Sequence, residues 1–472
     1  MTSHRTSAGA RSRTSQSSRL VPIALALLVA ACSDASFSNL PATPSLDAQI
    51  RSALSGWGVV PILPVNAQDA ALVDLGRSLF FDKILSGNRD VACASCHNPL
   101  THTDDALSLA VGTGALGAGT TRTLGAGRQF TPRNAPSLLS AGLRSVYLFW
   151  DGRVSENGGG LSRFTTPAGA ALPAGLTSLL AAQAMIPVTN RVEMRGNAGD
   201  HDVFGNVNEL AQPADTQYAE VWNGAMQRVL SISAYMQKFV AAYPSVPQSQ
   251  LGFQHAANAI AAYEVETFTK VNSPFDRYLA RDDNALSIDA KRGALLFFGK
   301  ARCSQCHNGP RLGGEFFANI AAPQLGPGTG SSAPLDAGRG DLGVVAGPPQ
   351  AQRFSFRVPP LRNVELTAPY MHDGAYATLE AVVHHYNNVD SAVKAYDVSQ
   401  LDPSLRASYH GDGATINALL SSLDPRLRQP LGLTEDEMKT LVAFLKSLTD
   451  PSARDMGGVI PASVPSGLPV PE

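Results

Sequence analysis

Four of the five cysteines in this 472-residue chain occur in two copies of one pattern. The copies are Cys93-Ala94-Ser95-Cys96-His97 and Cys303-Ser304-Gln305-Cys306-His307. Two thiols at this spacing can reach the two vinyl groups of one porphyrin and form thioethers, and the histidine that follows can ligate the iron. C-x-x-C-H is therefore typical of covalent c-type haem attachment. The pattern predicts thioethers at Cys93, Cys96, Cys303 and Cys306 and axial ligands at His97 and His307.

Two other chemistries use closely spaced cysteines. A thioredoxin-like redox pair does not need the histidine that follows both copies here. A zinc site needs four ligands that converge on one ion. The repeated histidine therefore favours a protein with two c-type haems.

The fifth cysteine, Cys32, follows an apolar run that begins at Leu20. Arginines and no acidic residues precede the run, which is too short to cross a bilayer comfortably and is typical of a secretory signal peptide. The small residues before Cys32 are similar to a bacterial lipobox, and an ordinary signal peptide with an incidental cysteine is the alternative. We expect a lipoprotein signal peptide over residues 1–31, a tether over 32–48, and a periplasmic protein anchored by lipid at Cys32, in our hypothesis to the outer membrane.

Charge and composition exclude other classes of protein. The chain has 37 basic and 39 acidic side chains, and residues 1–31 contain four arginines and no acid, so the mature balance of 33 against 39 is −6. Without a basic excess, a nucleic-acid-binding protein is not expected. The hydrophobic share of 44% is high enough for a substantial core.

Helices are predicted around both motifs. The segments 70–81 and 287–298 have apolar residues at three- and four-residue spacing, and each leads through a short linker into a motif. This internal repeat predicts one haem per domain. Further helices are predicted over 254–270, 378–385 with Thr378 as N-cap, and 435–447, and a Gly/Pro-rich loop over 325–350.

The predicted fold is mainly α, with two cytochrome c-like haem domains and long Gly/Pro-rich loops. The expected boundaries are 49–275 for an N-terminal haem domain and 276–452 for a C-terminal haem domain, with a flexible tail over 453–472.

Further motifs carry a family resemblance over residues 70 to 450. The sequence resembles bacterial dihaem cytochrome c peroxidases and the related MauG enzymes in the following segments: Phe149-Trp150-Asp151-Gly152-Arg153, Gln183-Ala184, Val192-Glu193-Met194, Pro360-Leu361-Arg362-Asn363-Val364 and Tyr370-Met371-His372-Asp373-Gly374. The resemblance implies a peroxidatic first haem, a second haem that exchanges electrons, and a calcium ion between them.

The resemblance also implies roles for individual residues. Trp150 matches the tryptophan between the two haems, and Gln183 and Glu193 match the distal glutamine and glutamate. A carboxylate over an open iron can move a proton between the two oxygens of hydrogen peroxide. The calcium ligands correspond to the Asn134 side chain and the carbonyls of Thr367 and Pro369, which are hard oxygen donors. An insertion between Arg153 and Gln183 departs from the peroxidases and leaves the geometry of the distal wall open.

Two positions depart from the simple peroxidases. Where these place a methionine on the second haem, this chain has Tyr386, as MauG-type enzymes do. A phenolate is a hard, anionic ligand that favours ferric iron and a low potential. The neighbouring His384 and His385 are rival ligands, and Met371 is another.

The second departure is the absence of a histidine. Many of these peroxidases block the first iron with a distal histidine, but residues 124–130 here contain none. We therefore predict that His97 is the only protein ligand of the first haem and that no reductive activation is needed. The histidines outside the motifs are expected to have surface or structural roles.

Three functional hypotheses follow. The leading one is a peroxidase that reduces hydrogen peroxide at the first haem with electrons relayed through the second haem from a small cytochrome c or a cupredoxin. The alternatives are a MauG-like oxidase that modifies a residue of a partner protein and, from another class, a non-catalytic dihaem electron carrier. The carrier hypothesis assigns no role to Gln183 or Glu193.

Overall fold

Helices and the loops between them make up most of the described structure. The computed structural model describes residues 44–143, 145–156, 163–342 and 352–471. The helices are α1 (Leu46–Gly56), α2 (Ala70–Phe81), α3 (Cys93–Cys96), α4 (Leu179–Ala184), α5 (Tyr218–Leu230), α6 (Ser233–Ala242), α7 (Phe253–Phe268), α8 (Pro274–Leu279), α9 (Ile288–Phe298), α10 (Leu379–Asn387), α11 (Val389–Lys394), α12 (Gly413–Ser421) and α13 (Glu435–Lys446). The mainly α prediction is confirmed.

The predicted helices begin where side chains cap them. Asp69 accepts hydrogen bonds from the first backbone N–H groups of α2, and Ser287 does the same for α9. Thr378 caps α10 as predicted, since its hydroxyl accepts from the Ala381 N–H at 3.1 Å. These caps satisfy donors that a helix cannot satisfy internally.

Two equivalent helix pairs form the framework of the molecule. α2 packs on α7, and α9 packs on α13. The crossings require glycine: a Cβ at Gly76 would overlap the carbonyl oxygen of Ala259, and a Cβ at Gly293 would overlap that of Thr440. The internal repeat predicted from the sequence is therefore a repeat of tertiary packing.

The strands are short and form two small antiparallel sheets. β1 (Tyr147–Leu148), β2 (Val154–Glu156) and β3 (Phe164–Thr165) are ordered β1-β2-β3, and β4 (Phe317–Ala318) pairs with β5 (Phe356–Arg357). In register, Leu148 faces Val154 and Phe317 faces Arg357. The β1–β2 turn carries Trp150, so the first sheet holds this residue in place.

Two large apolar cores surround the two helix pairs, within one compact unit that extends from Pro44 to Glu472. α1 and the C-terminal segment each pack against the core that is distant from them in sequence. α1, which the predicted boundaries divide between tether and first domain, buries Ile50 and Leu54 in the core of the second pair. Its Asp47 also forms an ion pair with Lys291 of α9.

The segment predicted as a flexible tail packs against the core of the first pair. Met456, Val464 and Leu468 are buried there, and the Ser466 hydroxyl donates to Asp82 at 2.6 Å. The expectation of a flexible tail is wrong for residues 453–471, because these apolar side chains are spaced irregularly through turns and short 3₁₀ segments, where no helical or strand period indicates burial.

The predicted signal peptide and Cys32 lie outside the described residues. Within the described ranges, no helix has the length and apolar character needed to cross a membrane.

Candidate functional site

The first motif lies at the end of a short helical turn. Cys93 and Cys96 begin and end α3, and burial raises the pKa of both thiols. His97 follows as the C-cap, and its Nδ1 lies 3.1 Å from the Thr103 carbonyl oxygen. Donation from Nδ1 leaves Nε2 with its lone pair available for a metal, an arrangement typical of ligating histidines.

The second motif repeats this arrangement. Cys303 opens a 3₁₀ turn, and the Nδ1 of His307 lies 3.0 Å from the Leu312 carbonyl oxygen. Burial lowers the pKa of His307 to about 4, which keeps the imidazole neutral as a metal ligand requires. None of the four cysteines of the motifs forms a disulfide.

A large apolar cavity surrounds the second motif. It leaves about 1900 Å³ free of protein atoms, part of it open to solvent, and its lining includes Cys303, Cys306 and His307. The α9–α13 pair supplies Phe297, Leu441 and Leu445 to the wall. The cavity, the two thiols on one edge and the available Nε2 fit a covalently attached haem.

Trp150 lies in the wall of the same cavity, in the first half of the chain. Its indole Nε1 donates to the Asn134 carbonyl oxygen at 2.9 Å, and its own carbonyl accepts from the Arg357 N–H at 2.7 Å. These bonds hold the indole between the segment that follows the first motif and the strand β5.

Glu193 lies on a single π-helical turn, Arg191–Arg195, a geometry that is frequent at functional sites. One carboxylate oxygen accepts from the Asn190 side chain at 3.0 Å. Burial raises the pKa of Glu193, and Arg153 and Arg133 partly offset this effect. The Thr113 N–H donates to the Glu193 carbonyl oxygen at 2.9 Å, and the Cys96 Sγ lies 4.0 Å from the Val111 carbonyl oxygen, so one short segment contacts both Glu193 and the first motif. Gln183 is half-buried near the end of α4, which packs on α7.

The three residues matched to calcium ligands line the cavity together. The Asn134 side-chain nitrogen donates to the Leu107 carbonyl oxygen at 2.8 Å, so its amide oxygen is directed elsewhere. Within the described ranges, no protein donor bonds to that amide oxygen or to the carbonyl oxygens of Thr367 and Pro369. Three oxygens without donors fit a hard cation such as Ca²⁺.

The candidate ligands of the second haem differ in position. Tyr386 lines the cavity, as does Met371. His385 is buried away from it: its Nδ1 lies 2.8 Å from the Tyr376 hydroxyl and its Nε2 2.8 Å from the Ile320 carbonyl. His384 is exposed, with its Nε2 3.6 Å from Glu435. Tyr386 and Met371 therefore lie beside the cavity, whereas His384 and His385 do not.

Three histidines outside the motifs have side-chain contacts with backbone carbonyls, whereas His201 is exposed and His4 lies outside the described residues. The Nδ1 of His102 lies 3.0 Å from the Ala453 carbonyl, that of His255 lies 3.3 Å from the Gly252 carbonyl, and the Nε2 of His410 lies 3.3 Å from the Gly326 carbonyl. Residues 124–130 are described and contain no histidine. The open first haem remains a prediction.

The structure contains a buried ion network that the sequence pattern did not predict. Arg133 binds Asp336 through Nε and Nη2 at 2.7 and 3.0 Å, and Asp151 through Nη1 at 2.5 Å. Burial opposes ionisation of Asp151, but the charges of Arg133 and Arg153 outweigh it and lower its pKa to about 2. The network holds the turn after Trp150 against the second half of the chain. Asp151 was visible in the family motif, whereas Asp336 lies in a loop and its pairing gives no local signal.

Comparison with known proteins agrees with this geometry. The family profile described as di-haem cytochrome c peroxidase matches residues 70–284. The chain is 31% identical over 375 residues to the cytochrome c551 peroxidase of Pseudomonas aeruginosa, which covers 78% of this chain and 83% of that protein. It is 28% identical over 431 residues to the methylamine utilization protein MauG of Methylorubrum extorquens, with 91% and 92% covered.

A solved structure is similar as well. A MauG-like protein associated with microbial copper homeostasis superimposes with a TM-score of 0.56 at 26% identity, covering 86% of this chain and 97% of that one. The chain belongs to the dihaem cytochrome c peroxidase and MauG family. It is an oxidoreductase of this family with two c-type haems.

Proposed function

We propose that this protein reduces hydrogen peroxide at the first haem, with electrons relayed through the second haem from a small cytochrome c or a cupredoxin. The observation that carries the proposal is a buried acid, Glu193, close to the first motif, in a chain with a second haem cavity that contains Trp150. When bound, the haems supply irons that exchange electrons and, at an open position, bind peroxide. The chain supplies the proton transfer and the path between the two sites.

Glu193 acts as the acid–base group in this proposal. Its carboxylate takes a proton from the near oxygen of peroxide and returns it to the far oxygen, and Asn190 orients it. Gln183 holds peroxide by hydrogen bonding. Burial raises the pKa of Glu193, so the reactive carboxylate is lost, and the reaction slows, as the pH falls through that raised value.

The test is rapid mixing of the oxidised haem-loaded protein with peroxide. We expect a fast two-electron oxidation in the wild type and a reaction slower by about 10²–10⁴-fold in Glu193→Gln. Glu220→Gln, at an exposed acid on α5, is the matched control and should react like the wild type. An unchanged rate in Glu193→Gln would remove the acid–base role, and a wild-type protein inert to peroxide would identify an electron carrier instead.

Tyr386 favours a second candidate, a MauG-like oxidase that modifies a residue of a partner protein. The phenol lies in the cavity wall beside the second motif, and burial raises its pKa, so a phenolate there requires an adjacent cation such as ferric iron. Mass spectrometry of candidate partners after peroxide treatment distinguishes the two functions. A mass change in a partner indicates the oxidase, and rapid oxidation of a reduced cytochrome c or cupredoxin indicates the peroxidase. The mature charge of −6 would suit a basic donor.

Calcium and lipid complete the proposal. Asn134, Thr367 and Pro369 would bind one Ca²⁺ beside Trp150, and elemental analysis should find one calcium per chain that Asn134→Ala loses.

Cys32 would anchor the protein in the periplasm. Mass spectrometry of the mature N-terminus should show a lipidated Cys32, and an unmodified Cys32 or cleavage elsewhere would contradict the anchor.

A further inference from the structure

The two helix pairs can be compared residue by residue at their crossings. Gly76 of α2 lies against Ala259 and Tyr263 of α7, and Gly293 of α9 lies against Thr440 and Phe444 of α13. In each pair the two contacted residues are four positions apart. The crossings therefore place Ala259 with Thr440 and Tyr263 with Phe444.

This correspondence places Glu264 of α7 at the position of Leu445 of α13, and Ile260 at the position of Leu441. Both leucines line the cavity of the second haem. Because the helix pairs cross in the same way, this correspondence assigns Glu264 and Ile260 to the side of α7 nearest the first motif. The first site thus has a carboxylic acid where the second has an apolar side chain.

The surroundings of Glu264 agree with this placement. The residue is only 8% exposed, and it lies near enough to Cys93, one of the predicted thioether residues, for its charge to raise the pKa of the free thiol. Within the described ranges, its carboxylate has neither a hydrogen-bond donor nor a cationic partner. An acid that is buried without such a partner is costly when charged, so burial raises the pKa of Glu264 to about 8.

Other charged groups near α7 have partners of their own. Besides Cys93, the neighbouring Tyr263 interacts with Glu264, and α4 carries no titratable residue. On α7 itself Glu266 is exposed and accepts from the Gln68 N–H, and His255 contacts the Gly252 carbonyl. On α2 and α5, two charged side chains form ion pairs: Asp74 with Lys238, and Arg228 with Glu209. Two others form hydrogen bonds: Arg77 donates to the Val459 carbonyl, and Glu220 accepts from the Gln217 side chain.

We propose that Glu264 takes up one proton from solvent when the first haem gains one electron from the donor, and releases it on oxidation. A haem held at the first motif by Cys93, Cys96 and His97 would lose one unit of positive charge on reduction. That loss of positive charge would make the buried Glu264 carboxylate more costly and its protonation more favourable. Glu264 thus balances the change of charge at the first haem. This role is separate from the transfer of protons to peroxide by Glu193.

The test is the pH dependence of the midpoint potential of the first haem in the haem-loaded protein. We expect the wild-type potential to fall with rising pH up to about pH 8, the raised pKa of Glu264, with a slope approaching about 59 mV per pH unit, the one-electron equivalent of a tenfold change. Glu264→Gln should flatten this slope. Glu266→Gln removes an exposed acid from the same helix and should retain it.

Infrared difference spectra supply a second readout. Reduction of the wild type should produce the C=O band of a protonated carboxylic acid, and Glu264→Gln should lack it. If Glu264→Gln does not fold, Glu264→Leu, which copies the second site, takes its place. A slope that persists in the folded variant, or a wild type without the carboxyl band, would overturn the proposal. Neither readout uses peroxide, so failure here is distinguishable from failure of the proposed peroxidase activity.

Discussion

At the scale of single residues, the chemistry depends on which side chains face a haem and which face protein. Tyr386, His385 and His384 are consecutive on α10, yet the first lines the cavity, the second bonds to protein at both ring nitrogens and the third is exposed. A helix turns about 100° per residue, so adjacent side chains point in different directions. The choice among these ligands is therefore a matter of helix rotation.

Tyr386→Phe is expected to change the second haem only. Loss of the phenolate should abolish its charge-transfer absorption and raise the potential, because a hard anionic ligand stabilises ferric iron. His384→Gln is the control and should leave the spectrum unchanged, since His384 is exposed. An unchanged spectrum in Tyr386→Phe would exclude this ligand and leave Met371 as the remaining candidate in the cavity wall.

Arg133→Met is expected to destabilise the fold by about 3–5 kcal/mol, because two buried carboxylates lose their shared cation. Denaturant unfolding of the haem-loaded protein measures this change. Arg163→Met is the matched control, since Arg163 forms an exposed ion pair with Glu156, and it should cost no more than about 1 kcal/mol. Equal effects in the two variants would show that the buried network contributes little.

At the scale of elements, the repeat of the two helix pairs organises both haem sites. The periodicity of apolar residues was sufficient to predict α2, α9 and α13 to within two residues, because each helix buries one face and has a capping side chain. The crossings could not be read from periodicity, since they depend on which glycine meets which carbonyl in another helix. The matching of these two crossings is also what assigns Glu264 to the site of the first haem.

Gly76→Ala and Gly293→Ala are expected to destabilise their helix pairs, each by about 1–3 kcal/mol, because the added methyl group overlaps a backbone carbonyl of the partner helix. The measurement is thermal unfolding of the haem-loaded proteins. Gly413→Ala, at the start of α12, has no atom near the added Cβ and should be neutral or slightly stabilising. Wild-type stability in both Gly76→Ala and Gly293→Ala would show that the helices can separate without cost.

At the scale of the whole molecule, α1 and the C-terminal segment link the two cores. α1 packs with the second helix pair, and residues 453–471 pack with the first. Each of these two segments therefore stabilises the half of the molecule that is distant from it in sequence. Boundaries drawn along the sequence miss this exchange, because they assume that neighbouring segments pack together.

Met456→Ala tests the contribution of the C-terminal segment. Removing a methionine side chain that is 4% exposed should cost about 2–5 kcal/mol, and the loss should appear as a lower unfolding midpoint of the haem-loaded protein. Leu63→Ala is the control, because Leu63 is 83% exposed and its truncation should have little effect. If Met456→Ala were as stable as Leu63→Ala, the C-terminal segment would be dispensable for the first core.

The sequence by itself determined the chemistry of attachment and the class of fold. The two C-x-x-C-H motifs specify covalent haem through local spacing alone, and apolar periodicity and caps specify the helices that precede them. The tertiary structure decided which side chains share a cavity: Trp150 with the second motif, Tyr386 rather than His385, and Arg133 with Asp336. Arg133 and Asp336 are 203 positions apart, and contacts at such separations depend on packing that no local pattern encodes.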